Sequence, residues 1–144
     1  MVLKSGKDQS VKRFHPWIFS GAIKKIYGTP VEGDLVEIYD NKDSFLAVGH
    51  YQPGSIMVRI LSFKEVDPDM DFFRDRFSKA LKYRESLGLA KNPDINVYRL
   101  VHAEGDDLPG LIIDYYNGVA VMQMHSVGMY RLRKEFAVIL KEIM

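Results

Sequence analysis

Residues 13–21 read Arg13-Phe14-His15-Pro16-Trp17-Ile18-Phe19-Ser20-Gly21, and how they are read decides the fold of the first half of the chain. These positions hold the only tryptophan, two phenylalanines, a histidine and an arginine. Pro16 disfavours helix at His15 and suits the first turn of a short helix, which is expected over Trp17 to Ala22. Trp17 and Phe19 have two readings. As core residues they fasten that helix to a small β-domain, with at least one ring buried, because large aromatics more often fill cores than bind ligands. As surface residues they stack on unpaired bases, a contact of roughly 1–3 kcal/mol per base, while nearby cations hold phosphates.

The surrounding charge favours a role in binding RNA. Residues 1–25 carry Lys4, Lys7, Lys12, Arg13, Lys24 and Lys25 against the single acid Asp8. The net charge of +1 hides an asymmetry: residues 1–64 hold nine Lys or Arg against six acids, and residues 65–144 hold eleven against thirteen. An RNA-binding surface is therefore expected on the N-terminal part, with too little charge to hold RNA tightly by phosphate contacts alone. Lys12, Arg13 and His15 are the candidate phosphate contacts and Trp17 the candidate stacking ring. Lys4, Lys24, Lys25 and Arg59 are secondary candidates.

Outward from this block the chain reads as short strands and turns up to residue 66. Val2-Leu3-Lys4 can start a strand. Leu35–Tyr39 and Phe45–Tyr51 form the arms of a hairpin around Asp40-Asn41-Lys42-Asp43, and 56–61 is a third strong strand. Such strands are consistent with a compact pseudo-barrel, although periodicity alone does not separate one small barrel from another. Asp67-Pro68-Asp69-Met70-Asp71 marks a boundary that ends at a helix N-cap. From residue 71 a second unit begins. Phe73, Phe77, Ala80, Leu81 and Leu87 lie at helical spacing, and Gly88 is placed to stop the helix. Strands follow over 97–103, 111–116 and 119–124. Asn117-Gly118 between the last two predicts a type I′ hairpin turn. Ser126 can cap a final helix with Met129, Leu132, Phe136, Ile139, Leu140 and Ile143 on its apolar face.

Other chemistries find little support. Glu104, Asp106 and Asp107 could suggest acid–base work or a cation site, yet they flank the turn Leu108-Pro109-Gly110 and read as structural, with Arg99 expected to pair with Glu104 or Asp106. His15, His50, His102 and His125 form no i, i+4 pair, so no metal site is expected. No G-x-S-x-G elbow is present. Met122-Gln123-Met124 is most simply core packing. The chain has 47% hydrophobic and 12% aromatic residues, which excludes a disordered chain. It has no cysteine, no apolar run long enough for a membrane span and no apolar signal segment at its start. A cytoplasmic protein with no membrane partner is expected.

Two stretches together resemble the large-subunit ribosomal RNA methyltransferase I family. One is R-F-H-P-W-I-F-S-G-A-I, from Arg13 to Ile23. The other runs from Tyr98 to Asp114 and reads Y-R-L-V-H-A-E-G-D-D-L-P-G-L-I-I-D. The resemblance covers essentially all 144 residues. It implies an α+β chain: a PUA-like β pseudo-barrel over 1–66, then a truncated central α+β domain over 71–144. It also implies a parent enzyme that uses S-adenosylmethionine to methylate carbon 5 of a cytosine in 23S ribosomal RNA. The chain departs from that family's full pattern. It has no strand followed by G-x-G-x-x-G, no Asn-Pro-Pro and no cysteine to add to a pyrimidine.

The expectation is accordingly an RNA-positioning portion with no catalytic residues, no cofactor and no metal of its own. Its partners are ribosomal RNA and an absent methyltransferase domain. Self-association is expected through apolar surface and strand edges that truncation exposes. The competing readings are a free-standing PUA-type RNA-binding module and a protein-interaction fragment.

Overall fold

A computed structural model describes residues 1–144. They form two units, Met1–Asp67 and Pro68–Met144.

The first unit contains β1 (Val2–Leu3), α1 (Gln9–Lys12), β2 (Trp17–Phe19), a 3-10 turn (Ser20–Ala22), β3 (Ile23–Lys25), β4 (Leu35–Tyr39), β5 (Phe45–Tyr51) and β6 (Ile56–Ser62). The strands make one sheet in the order β2-β6-β5-β4-β1-β3. All its pairings are antiparallel except β1 with β4, where Val2 lies opposite Tyr39. The β4–β5 hairpin turns on Asp40, whose carboxylate accepts the backbone N–H groups of Lys42 (2.8 Å) and Ser44 (2.9 Å). Leu3, Val11, Ile18, Ile38, Ala47, Val58 and Ile60 meet in the core. Alternate residues of a strand face opposite sides, so each strand delivers its share of these on one face.

The helix expected over Trp17 to Ala22 is not there. Trp17-Ile18-Phe19 pairs with β6, placing Trp17 opposite Arg59, Ile18 opposite Val58 and Phe19 opposite Ile56. Three consecutive bulky side chains fit a pleated edge strand, where only the middle one turns inward. Ile18 is buried, while Phe19 is 50% exposed and Trp17 half-buried. The expectation that at least one of the two rings is buried therefore fails. The core position in this block belongs to the isoleucine between them.

One glycine is dictated by close approach. At a register shift in β5, a Cβ on Gly49 would stand 2.2 Å from the carbonyl oxygen of Arg59. No side chain fits there, and its absence lets β6 lie close enough to seat Arg59 between His50 and Trp17 in the register.

The second unit contains α2 (Met70–Ser86), β7 (Val97–His102), a 3-10 turn (Ala103–Asp106), β8 (Leu111–Tyr116), β9 (Val119–Met124), α3 (Val127–Arg131) and α4 (Arg133–Ile143). Asp69 caps α2 by accepting the Phe72 N–H at 2.9 Å. The three strands form an antiparallel meander, β7-β8-β9. Asn117 and Gly118, at φ 43° and 94°, make the β8–β9 turn with both residues left-handed. Phe73 and Phe77 on α2 each stand 5.1 Å from the ring of Phe136 on α4. Phe77 and Phe136 are fully buried, which stabilises by roughly 1.5–3 kcal/mol for each side chain. The expected single final helix is two. Ser126 caps the short α3, accepting the Met129 N–H at 3.2 Å, and the chain leaves helical geometry at Leu132 before α4 begins.

Candidate nucleic-acid interface

The interface starts from the way α1 ends. Its four residues are too few for helix propensity to hold them, so the termination geometry matters. His15 N–H donates to the Ser10 carbonyl at 2.9 Å and Phe14 N–H donates to the Val11 carbonyl at 2.9 Å. These are the two bonds of a Schellman motif, with Phe14 at the position that follows the C-cap. The motif requires a left-handed residue there, and Phe14 has φ 64°. Glycine usually occupies this position because a Cβ costs about 1–2 kcal/mol in that conformation. Phe14 takes it with a ring that is 71% exposed, touching Phe63 edge-to-face at 5.2 Å. Pro16 then carries the chain out of the turn into β2.

This turn frames an open groove of roughly 660 Å³ lined by Gly6, Lys7, Gln9, Ser10, Arg13, Phe14, His15 and Pro16. The lining holds two cations and no carboxylate. Beside the groove, His15, Trp17 and Phe19 form an aromatic cluster with ring centres 6.0 to 6.4 Å apart. The Trp17 backbone N–H donates to His15 Nδ1 at 3.2 Å, which ties the imidazole to β2. Arg59 is half-buried, and its guanidinium donates to the Gln52 side-chain carbonyl. A half-exposed indole, an exposed phenyl ring and two cations on one connected segment can hold phosphates and offer flat surfaces to bases.

The other sequence-derived candidates are placed less favourably. Lys12 is exposed but forms an ion pair with Asp8 at 2.7 Å, which raises the pKa of the lysine and lowers that of the aspartate. Its charge is largely answered within the chain. Lys4 is exposed in the turn after β1, its N–H donating to the Ala22 carbonyl at 2.9 Å. Lys24 and Lys25 are exposed on β3, at the opposite end of the strand order from β2. Lys25 places its ammonium 4.6 Å over the Tyr27 ring. Of the candidates, Arg13 and His15 line the groove, with Trp17 and Arg59 paired on adjoining strands. Lys7 and Phe14 were missing from that set. Phe14 carried a usable signal, a bulky residue directly before His-Pro at a helix end, but the helix itself was too short to recognise.

Within the acidic loop of the second unit, Asp106 has different partners from those expected. Asp106, not Glu104, is the anchor, and its cation is Arg84 of α2 rather than Arg99. Arg84 donates to the two Asp106 oxygens at 2.6 and 2.7 Å and to the Arg99 carbonyl at 3.0 Å. Asp106 also accepts the His102 N–H at 2.6 Å. Both side chains are buried, at 9% and 8% exposure. Arg99 pairs instead with Asp114 across β7 and β8, at 2.8 Å. The reason is register: strand pairing sets Arg99 opposite Asp114, while Arg84 reaches the loop from the last turn of α2. Arg76 donates to the Asp107 carbonyl at 2.7 Å, and burial lowers its pKa, only partly opposed by Asp107. The Pro109-Gly110 turn forms as expected, closed by Leu111 N–H to the Leu108 carbonyl at 3.1 Å.

Comparison with known proteins finds a family match within the first unit. Residues 1–63 match the PUA-like domain family. The chain is 42% identical over 137 residues to the ribosomal RNA large subunit methyltransferase I of Pseudoalteromonas translucida, covering 94% of this chain and 34% of that protein. It is 43% identical over 130 residues to the protein of the same name from Aeromonas hydrophila, covering 89% and 32%. The chain thus spans about a third of the length of these relatives. Among solved structures, a Streptococcus mutans protein provisionally assigned to the SAM-dependent methyltransferases superposes with a TM-score of 0.82 at 20% identity. That match covers 99% of this chain and 37% of the other. A further structure, of a methyltransferase also assigned provisionally and complexed with SAH, superposes at 0.85 with 19% identity and the same coverage. At these identities the superpositions speak for the fold.

Proposed function

We propose that this chain, which belongs to the large-subunit ribosomal RNA methyltransferase I family, holds ribosomal RNA with its PUA-like unit. In this reading it positions the RNA for methyl transfer carried out on polypeptide beyond residues 1–144. The observation that carries the proposal is the carboxylate-free groove of Lys7, Arg13 and His15 beside the half-buried indole of Trp17 and the exposed ring of Phe19. Holding a nucleotide in fixed geometry converts a bimolecular encounter into an effectively unimolecular step, so a positioning unit contributes to rate without touching the reacting atoms.

The parent protein would take its methyl group from S-adenosylmethionine, which supplies an electrophilic methyl when bound. Residues 1–144 do not fit that cofactor. A nucleotide crevice of the usual kind needs consecutive parallel strands with a glycine-rich turn into a helix. Here the one parallel pairing is the Val2–Tyr39 contact, and the second sheet is entirely antiparallel. Calorimetry of the chain with S-adenosylmethionine is expected to show no heat, and low-micromolar binding would contradict the division of labour.

The direct test is RNA affinity across a salt series. Arg13→Ala should weaken binding and reduce the slope of log affinity against log salt by about one, the signature of one lost phosphate contact. A slope of zero for the unaltered chain would remove phosphate contact from the account.

A further inference from the structure

We propose that Phe14 is the base-stacking residue of the groove, and that the RNA it takes is an unpaired nucleotide rather than a duplex. The inference rests on the RNA-binding reading above and adds which residue reads the base and which form of RNA fits.

Three observations converge on it. First, Phe14 holds the left-handed position of a Schellman motif, where a glycine would close the same two hydrogen bonds without strain. Backbone strain of this kind persists when the surrounding structure over-determines it, and it concentrates at ligand sites. Second, packing does not account for the ring. At 71% exposure it gains little from burial, and the edge-to-face contact with Phe63 steadies it while leaving ring surface open. Third, its neighbours suit a nucleotide. Lys7 and Arg13 line the same groove, and neither is engaged in an ion pair within the chain. At roughly 660 Å³ the groove is within the size range of small-ligand sites.

A phenyl ring beside two cations selects for a base that can leave its own stack. In an A-form duplex the base faces are covered by their neighbours, and the deep major groove is closed to side chains. A looped, bulged or terminal nucleotide presents its face freely. Its base would lie on Phe14 while the flanking phosphates meet Lys7 and Arg13. The site is tolerant of base identity, since every base has a π-face.

The test uses the whole chain and two RNA probes: an unstructured decaribonucleotide of alternating cytidine and adenosine, and a blunt ten-base-pair RNA duplex. The decaribonucleotide should bind more tightly. Phe14→Leu keeps an apolar side chain without a flat face, and should weaken it roughly five- to hundredfold with an unchanged salt slope. Phe14→Tyr should restore affinity to within about threefold, because the ring face is what matters. In the unaltered protein the Phe14 ring protons should move upfield on adding the decaribonucleotide, from the ring current of a stacked base, and this readout does not depend on a variant folding. Stationary ring protons, equal binding of Phe14→Leu, or preference for the duplex would each overturn the stacking role. The RNA-binding reading would still stand if Arg13→Ala lowered the salt slope, and would fall with a flat slope, so the two failures are distinguishable.

Discussion

Replacing Arg84 by methionine should destabilise the second unit severely, and the structure indicates by how much. Arg84 makes three hydrogen bonds through its guanidinium, two to Asp106 and one to the Arg99 carbonyl. Methionine preserves most of the apolar stem but removes all three. The Asp106 carboxylate then stays buried at 8% exposure, still accepting the His102 N–H at 2.6 Å but with no cation beside it. Removing one member of a buried pair typically costs about 3–5 kcal/mol, because the other charge is left uncompensated. Against a typical total of about 5–15 kcal/mol, that is a large fraction of the stability. At roughly 4–8 °C per kcal/mol for a unit of this size, the midpoint should fall by at least about 12 °C. Arg84→Met with Asp106→Asn should recover part of the loss. The neutral amide can still accept from His102 without a buried charge, leaving mainly the unpaired Arg99 carbonyl at about 1–3 kcal/mol. Helical ellipticity suits the measurement, because α2 and α4 both belong to the second unit. Trp17 emission follows the first unit in the same sample. An Arg84→Met midpoint within about 2 °C of the unaltered protein would refute the reasoning, as would a double variant less stable than the single.

Three further outcomes are expected. Gly49→Ala should destabilise the first unit by at least about 1–3 kcal/mol, since the added methyl meets the Arg59 carbonyl at 2.2 Å; urea unfolding followed by Trp17 emission checks it, and an unchanged midpoint argues against so close a β5–β6 approach. Asp69→Ala should cost about 0.5–2 kcal/mol through loss of the α2 cap, with Asp69→Asn retaining most of it, both read from helical ellipticity. The Asp8 carboxyl, held below the ordinary aspartate range by its bond to Lys12, should titrate at lower pH than a free aspartate by NMR, and Lys12→Ala should return it upward. Because that folded-state pKa is depressed, whatever stability the pair contributes is present at neutral pH and disappears as pH falls through it.

Much of the fold is legible in short-range pattern. The bounds of β4, β5, β8 and β9 follow from apolar runs closed by turn residues, and α2 begins where Asp69 caps it. The α+β class follows from these elements together. The misreadings share a cause. Trp17-Ile18-Phe19 after Pro16 carries a helix-start signal, yet β6 claims it as a ladder partner across about forty residues of chain. Tertiary pairing outweighs a single-residue preference of at most a few kcal/mol. The break at Leu132 left no mark, because the apolar spacing from Met129 to Ile143 runs straight through it. At the interface, composition picked out Arg13, His15 and Trp17 but not Phe14. A four-residue helix has no period, and so its C-terminal turn was invisible.

What the linear order of residues determined alone is whatever rests on neighbours a few positions apart: the strands, the caps, the Asn117-Gly118 hairpin, and the concentration of cations and rings near the N-terminus. Only the tertiary structure decided that Ile18 rather than the rings on either side of it enters the core, and that Arg84 rather than Arg99 holds Asp106. Those outcomes depend on distances between residues far apart in sequence. Burial and ion pairing are set by which groups end up within a few ångströms, and it is the strand register that sets those distances.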